Sequence, residues 1–297
     1  MRTLLFHFSR LWTALILVTF AGCGSGGNTI DVSLTSTGSQ AQAQSTKEAD
    51  SATQFVENSQ YIGQMGLGMM KTAAAYSQGG SGKDVAIGFV DTALDNTHEE
   101  FSDGRIIFHD KTAYEETERT AEHQQHATKV VSLAAGSRLA GENMHGVAYE
   151  ADIAMWELLL KDNGYLKLNA NILEKAYTAL GNAGSDIINN SWATSLVFQP
   201  EKISASQDFL KWYFGDALEV MKQANIIYVW ASGNGGEAEV KRTAALPLLF
   251  PELSNKMLIV TAVNAEGEID SISNHCGSLA NWCISAPGGY DERMVTA

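Results

Sequence analysis

Three polar residues stand where short apolar runs begin or end, and together they could carry acid–base chemistry. Asp91 follows Val85-Ala86-Ile87-Gly88-Phe89-Val90, His126 precedes Ala127-Thr128-Lys129-Val130-Val131, and Asn234 closes the run from Ile226 through Ala231-Ser232-Gly233. A carboxylate, an imidazole and a side-chain amide could thus converge on one rim. Each residue also has a plainer use. An Asp opens turns or caps helices, a single His is commonly structural or solvent-facing, and Asn within Ser-Gly-Asn-Gly-Gly suits a turn with positive φ. Taken singly, none defines an activity. A scaffold that gathers all three would.

Beyond Tyr61, apolar runs bounded by turn residues alternate with helical patterns. This reads as an α/β fold: a doubly wound, mostly parallel sheet with helices on both faces. Strands are expected at 85–90, 153–160, 187–190, 226–231 and 258–263, and helices at 69–76, 128–135, 172–180 and 209–224. In the last helix Phe209, Leu210, Trp212, Tyr213, Ala217, Leu218, Val220 and Met221 recur near helical spacing and are expected in the core. Ligands of such sheets sit beyond the carboxyl ends of the strands, which is where Asp91 and Asn234 fall.

The chain has 297 residues, 45% of them hydrophobic and only 4 Pro, enough for one large domain or two small ones. Its 34 acidic residues against 20 basic ones, with no Lys/Arg block, would repel a phosphate backbone and argue against a nucleic-acid partner. Three Cys are too few for a disulfide scaffold, and none has zinc-ligand spacing with another Cys or His.

Residues 1–22 place Arg2 and Arg10 ahead of a largely apolar stretch and then small residues, a secretory signal layout with a stretch too short to span a bilayer alone. Phe20-Ala21-Gly22-Cys23 resembles a bacterial lipobox, which implies acylation of Cys23 after cleavage. Gly24 in place of Asp points, by resemblance to diderm lipoproteins, to an exported protein held by lipid at the outer membrane or cell surface. Residues 23–60 are rich in Ser, Thr, Gln, Gly and Ala without Trp or Tyr, and read as a flexible tether ahead of a folded unit at 61–297.

In combination the three candidates stand in the order of the subtilisin-like serine proteases, with matching local context. Gly88-Phe89-Val90-Asp91-Thr92 resembles the strand bearing the triad aspartate, with Asn96-Thr97-His98-Glu99-Glu100-Phe101 as its continuation. His126-Ala127-Thr128-Lys129-Val130 resembles the segment of the general base, and Gly146-Val147-Ala148 a conserved-looking turn of the family. Ile188-Asn189-Asn190-Ser191-Trp192 resembles the strand lining the substrate cleft, and Ala231-Ser232-Gly233-Asn234 the oxyanion segment. The nearest subgroup in pattern is the autotransporter and lipoprotein subtilases of diderm bacteria, which Leu246-Pro247-Leu248-Leu249-Phe250-Pro251-Glu252 and Ser273-Asn274-His275-Cys276-Gly277 resemble.

The resemblance implies a peptide or protein substrate cleaved by a Ser-His-Asp mechanism. Asp91 orients the imidazole and stabilises its cation, His126 is the general base, Asn234 donates to the oxyanion, and Ser191, Trp192, Ala193, Ser232 and Gly233 meet the substrate backbone. His123 is a rival base without the matching continuation, and Cys276 and Cys283 are implied partners in a disulfide. No cofactor is needed for this chemistry, and sequence does not place the scattered oxygen ligands of a structural calcium. No Ser stands in the expected Gly-Thr-Ser-Met-Ala-x-Pro setting before Ala297, and Ser278 is only a faint look-alike. The expectation is a domain truncated before its nucleophile and nearly inactive as it stands. A lipid-anchored peptide-binding pseudoprotease is the alternative reading, and a phosphoryl-transfer enzyme using Asp91 lacks a phosphate loop.

Overall fold

The computed structural model describes residues 61, 63–113, 120–139, 144–159 and 166–288. The signal segment, the tether and Cys23 lie outside the described residues, as does Leu160 at the end of one expected strand. Among the described residues the strands are β1 (Ala86–Asp91), β2 (Ile106–Asp110), β3 (Asp152–Glu157), β4 (Ile187–Asn190), β5 (Ile227–Ala231), β6 (Met257–Val263) and β7 (Cys283–Pro287). They form one sheet in the order β2-β3-β1-β4-β5-β6-β7, and every pairing is parallel. The helices are α1 (Met65–Met69), α2 (Thr72–Tyr76), α3 (Ala121–Ala135), α4 (Ala170–Asn182), α5 (Ile203–Phe214), α6 (Ala217–Gln223) and α7 (Leu246–Leu249).

Alternation along the strands divides the core between two faces. Ile87, Phe89, Ile153 and Met155 pack with Ala127, Val131 and Ala135 of α3. Their neighbours Val90 and Ala154 point the other way, joining Ile188, Tyr228 and Trp230 against Leu173, Tyr177 and Leu180 of α4 and Leu210 and Phe214 of α5. Burial on both faces is why β1, with all six residues buried, reads as an unbroken apolar run. Because all strands are parallel, their carboxyl ends share one edge. The chain leaves β1 for β2 and β3 on one side and resumes with β4 on the other, so the strand order reverses between β1 and β4, the point where sheets of this type place their ligands.

Two strands were not expected from sequence. β2 is an edge strand with Ile107 exposed at 47%, and β7 ends the opposite edge in Ser285-Ala286-Pro287, so neither carries a strong apolar signal. Two expected helices are each broken in two. Lys71 at φ 56° separates α1 from α2, and Gly215 at φ 50° separates α5 from α6. The aromatic run of 209–224 is also not all core: Trp212 is 75% exposed, whereas Leu210 and Phe214, four apart on the inward stripe, are fully buried. Trp212 sits midway between them in sequence and therefore projects from the opposite side of the helix.

Cys276 and Cys283 are disulfide-bonded, with Cα atoms 5.9 Å apart across a separation of 7 residues. The bridge staples a short 3₁₀ segment to the start of β7, and Trp282 within it donates from Nε1 to the Ser254 carbonyl at 2.8 Å. Closing so short a loop removes about 2–3 kcal/mol of unfolded-chain entropy. Cys283→Ala is therefore expected to lower unfolding stability by about that amount. Urea titration checks this, and an unchanged midpoint would show the bridge to be dispensable.

Candidate active site

Asp91 is the last residue of β1, so it stands at the carboxyl edge of the sheet. Its side chain is only 2% exposed. Oδ1 accepts from the Thr92 backbone N–H at 2.7 Å and meets His126 Nδ1 at 2.6 Å. Oδ2 is buried and accepts no hydrogen bond among the described residues, so the imidazole is the main compensation for this buried charge. A carboxylate can only accept, so Nδ1 carries the proton and Nε2 keeps its lone pair. That face of the ring opens outward, the His126 side chain being 54% exposed.

The ring is placed by α3. Thr120 caps the helix by accepting from the His123 N–H at 3.4 Å, and Ala127, Val131 and Ala135 bury the inward stripe, which sets His126 at the rim. The loop after Asp91 is tied to the same helix. Ala127 N–H donates to Thr92 Oγ1 at 3.2 Å and Asp95 N–H to Thr128 Oγ1 at 3.0 Å. A third brace comes from β3, where Glu157 lies opposite Asp91 in register, accepts from Leu94 N–H at 2.9 Å and pairs with His109 Nε2 at 2.7 Å. Glu157 and His109 carry no motif signal, and only the pairing of β2 with β3 and of β3 with β1 brings them here.

The environment sets the affinity of His126 for its proton. The hydrogen bond to Asp91 raises it above the ordinary 6.5, against burial and the nearby Lys129, which pull it down. His123 is differently placed: it lies in the first turn of α3 with Nδ1 3.2 Å from Thr120 Oγ1.

Asn234 lies three residues beyond β5, at the same carboxyl edge, exposed and without a side-chain hydrogen bond among the described residues. It borders a cleft of about 570 Å³ whose walls include Ser191, Trp192, Ala193, Gly233, Tyr213 and Lys241. Ala193 is exposed, and Ser191 Oγ accepts from Asn189 Nδ2 at 2.9 Å. Trp192 is packed edge-on against Trp230, whose Nε1 donates to the Trp192 carbonyl at 3.2 Å. Ser232 has a supporting place: it is buried, with N–H to the Val260 carbonyl at 2.9 Å and hydroxyl to the Asn274 carbonyl at 3.0 Å. Ser278 is held within the disulfide loop by Glu239, which accepts from its N–H at 2.9 Å and its hydroxyl at 2.8 Å. Among the described residues no group of three His, Cys, Asp or Glu is arranged to hold a metal, and no helix is long and apolar enough to cross a membrane.

Sequence reasoning missed Tyr213 and Lys241 as cleft residues. Tyr213 was counted as core because of its helical spacing, and Lys241 follows the oxyanion segment at a distance no motif specifies.

Comparison with known proteins places the chain in a family. The chain is 26% identical over 268 residues to an extracellular serine protease of Serratia marcescens, covering 76% of the chain and 24% of that protein. It is 23% identical over 246 residues to the autotransporter lipoprotein NalP of Neisseria meningitidis serogroup B, covering 70% of the chain and 21% of that protein. The chain thus spans about a quarter of the length of the curated relatives it matches. Among solved structures, the self-cleaved protease domain of PatA superposes with a TM-score of 0.50 at 21% identity, covering 70% of the chain and 69% of that domain, a likeness of fold. The sequence profile of the subtilase family matches residues 82–297, and the chain belongs to that family.

Proposed function

We propose that this chain carries the aspartate, the histidine base and the recognition cleft of an exported serine endopeptidase. The observation that carries the reading is the 2.6 Å hydrogen bond between Asp91 and His126 at the carboxyl edge of the sheet. In this reading a serine hydroxyl attacks the peptide carbonyl while His126 Nε2 takes its proton. Asp91 holds the tautomer and stabilises the imidazolium, and the proton later passes from His126 to the leaving amine. Asn234 donates to the oxyanion of the tetrahedral intermediate, and the substrate backbone lies extended beside Ser191-Trp192-Ala193.

No serine of the sequence stands in the family's nucleophile setting, so the 297 residues alone are proposed to bind peptides with little turnover. Loss of the nucleophile from a subtilisin-type site costs about 10⁶ in kcat. The test is to express the chain with and without its downstream reading frame and assay a fluorogenic peptide library. Turnover only with a downstream Gly-Thr-Ser supports the endopeptidase. Peptide binding with no turnover in either form favours the peptide-binding pseudoprotease, and neither binding nor turnover removes both. Export with lipid at Cys23 is part of the proposal, supported by relatives described as extracellular and as an autotransporter lipoprotein. Cys23→Ala is expected to move the protein from the membrane fraction to the soluble one.

A further inference from the structure

We propose that Lys241 makes the cleft beside Asn234 selective for a substrate side chain bearing a carboxylate, Glu or Asp. The inference rests on the protease reading above and adds its substrate class. Lys241 is built into the floor of the cleft. Its N–H donates to the Ser232 carbonyl at 2.7 Å, and it forms an antiparallel bridge with Val197, flanked by Phe198 N–H to the Val240 carbonyl at 2.9 Å and Arg242 N–H to the Leu196 carbonyl at 2.8 Å. The backbone position is therefore fixed from both walls.

The side chain is fixed as well. Its stem crosses Gly233, where a Cβ would overlap Cγ of Lys241 and where φ is +119°, so both space and backbone require glycine. The stem carries Nζ to the opposite wall, 3.3 Å from the Ser195 carbonyl. An ammonium has three donors and this bond uses one, leaving donors for a ligand. Lys241 is the one charged residue lining the cleft among the described residues. It has no carboxylate partner among them, and the nearby Glu239 is turned away, both of its oxygens accepting from Ser278. Among the other lining residues, Leu166, Leu168, Trp192 and Tyr213 suit the methylene stem of a side chain, and the polar ones, Ser191, Thr194, Ser195 and Asn234, carry no charge. A mixed cleft that holds one cation beside apolar side chains discriminates by charge, because a carboxylate gains a charge-assisted hydrogen bond that its amide isostere forms only weakly.

The experiment titrates the 297-residue chain, by calorimetry, with a peptide series in which Glu or Gln is placed at each position in turn. The Glu form is expected to bind roughly 10-fold tighter than the Gln form at one position, with the gap narrowing at high salt. Lys241→Met is expected to abolish the gap, Lys241→Arg to retain it, and Lys241→Glu to reverse it toward a Lys-bearing peptide. Thermal unfolding verifies that each variant is folded, and the Arg form carries the comparison if the Met form is not. Equal binding of Glu and Gln at every position, or a gap that survives Lys241→Met, overturns the assignment and leaves the protease reading standing. A series in which no peptide binds at millimolar concentration overturns both.

Discussion

Asp91→Asn is expected to reduce peptide turnover by the catalytically complete protein by about 10⁴-fold with little change in KM. The substitution keeps the shape of the side chain and removes its charge. The amide presents an N–H to Nδ1, which forces the imidazole proton onto Nε2 and leaves no lone pair facing the nucleophile. The same change is visible without turnover. In the wild-type chain the Asp91 hydrogen bond holds the His126 proton affinity above 6.5, and burial and Lys129 oppose it. With the carboxylate gone only the opposing influences remain, so His126 should titrate below 6.5 in the variant. A histidine-resolved NMR titration reads this directly, and an unmoved His126 would sink the pairing. The linkage with folding has a definite sign. Because the folded value is raised, the pair's contribution to stability is fully present below the unfolded value near 6.5 and is lost as pH climbs through the folded one. The wild-type minus Asp91→Asn stability difference should accordingly shrink toward alkaline pH.

Asn234→Ala is expected to cost about 10²–10³ in kcat while leaving KM and unfolding stability nearly unchanged. Asn234 is exposed and makes no side-chain hydrogen bond among the described residues, so truncation removes nothing the folded state uses. A donor aimed at an oxyanion acts only when that charge develops, which places the loss in kcat. An equal loss in KM, or a fall in melting temperature, would instead make Asn234 a framework residue. Asn234→Asp should be at least as severe, since it sets a negative charge against the developing one.

The parts legible in sequence were those where a local pattern has one structural meaning. Apolar runs such as 85–90 and 226–231 became β1 and β5, each within one residue, and the stripe of Ile172 to Leu180 became α4. Edge strands were not legible, because Ile106–Asp110 and Cys283–Pro287 have one partner each and little apolar demand. Helix breaks at Lys71 and Gly215 escaped because backbone sign reversals leave no mark on hydrophobic spacing. At the site, Asp91 and His126 announced themselves through flanking motifs. Glu157, His109 and Lys241 matter through distance in space, and the residues that bring them near are ordinary strand and loop residues.

The site is drawn from two stretches of chain that share few elements. Asp91, His126 and their braces lie between residues 91 and 157, whereas the cleft and its amide lie between residues 166 and 241. Within the sheet the two stretches meet along one seam, where β1 lies against β4 through Ile87–Ile187, Gly88–Ile188 and Phe89–Asn189. Gly88 admits the partner closely there, since a Cβ would press on Ser185 Oγ at 2.8 Å. A shift of one residue along this seam would carry the proposed base about 3.3 Å away from the proposed oxyanion donor. Alignment of the two proposed functions thus rests on three paired residues within the sheet, none of which belongs to the proposed site itself.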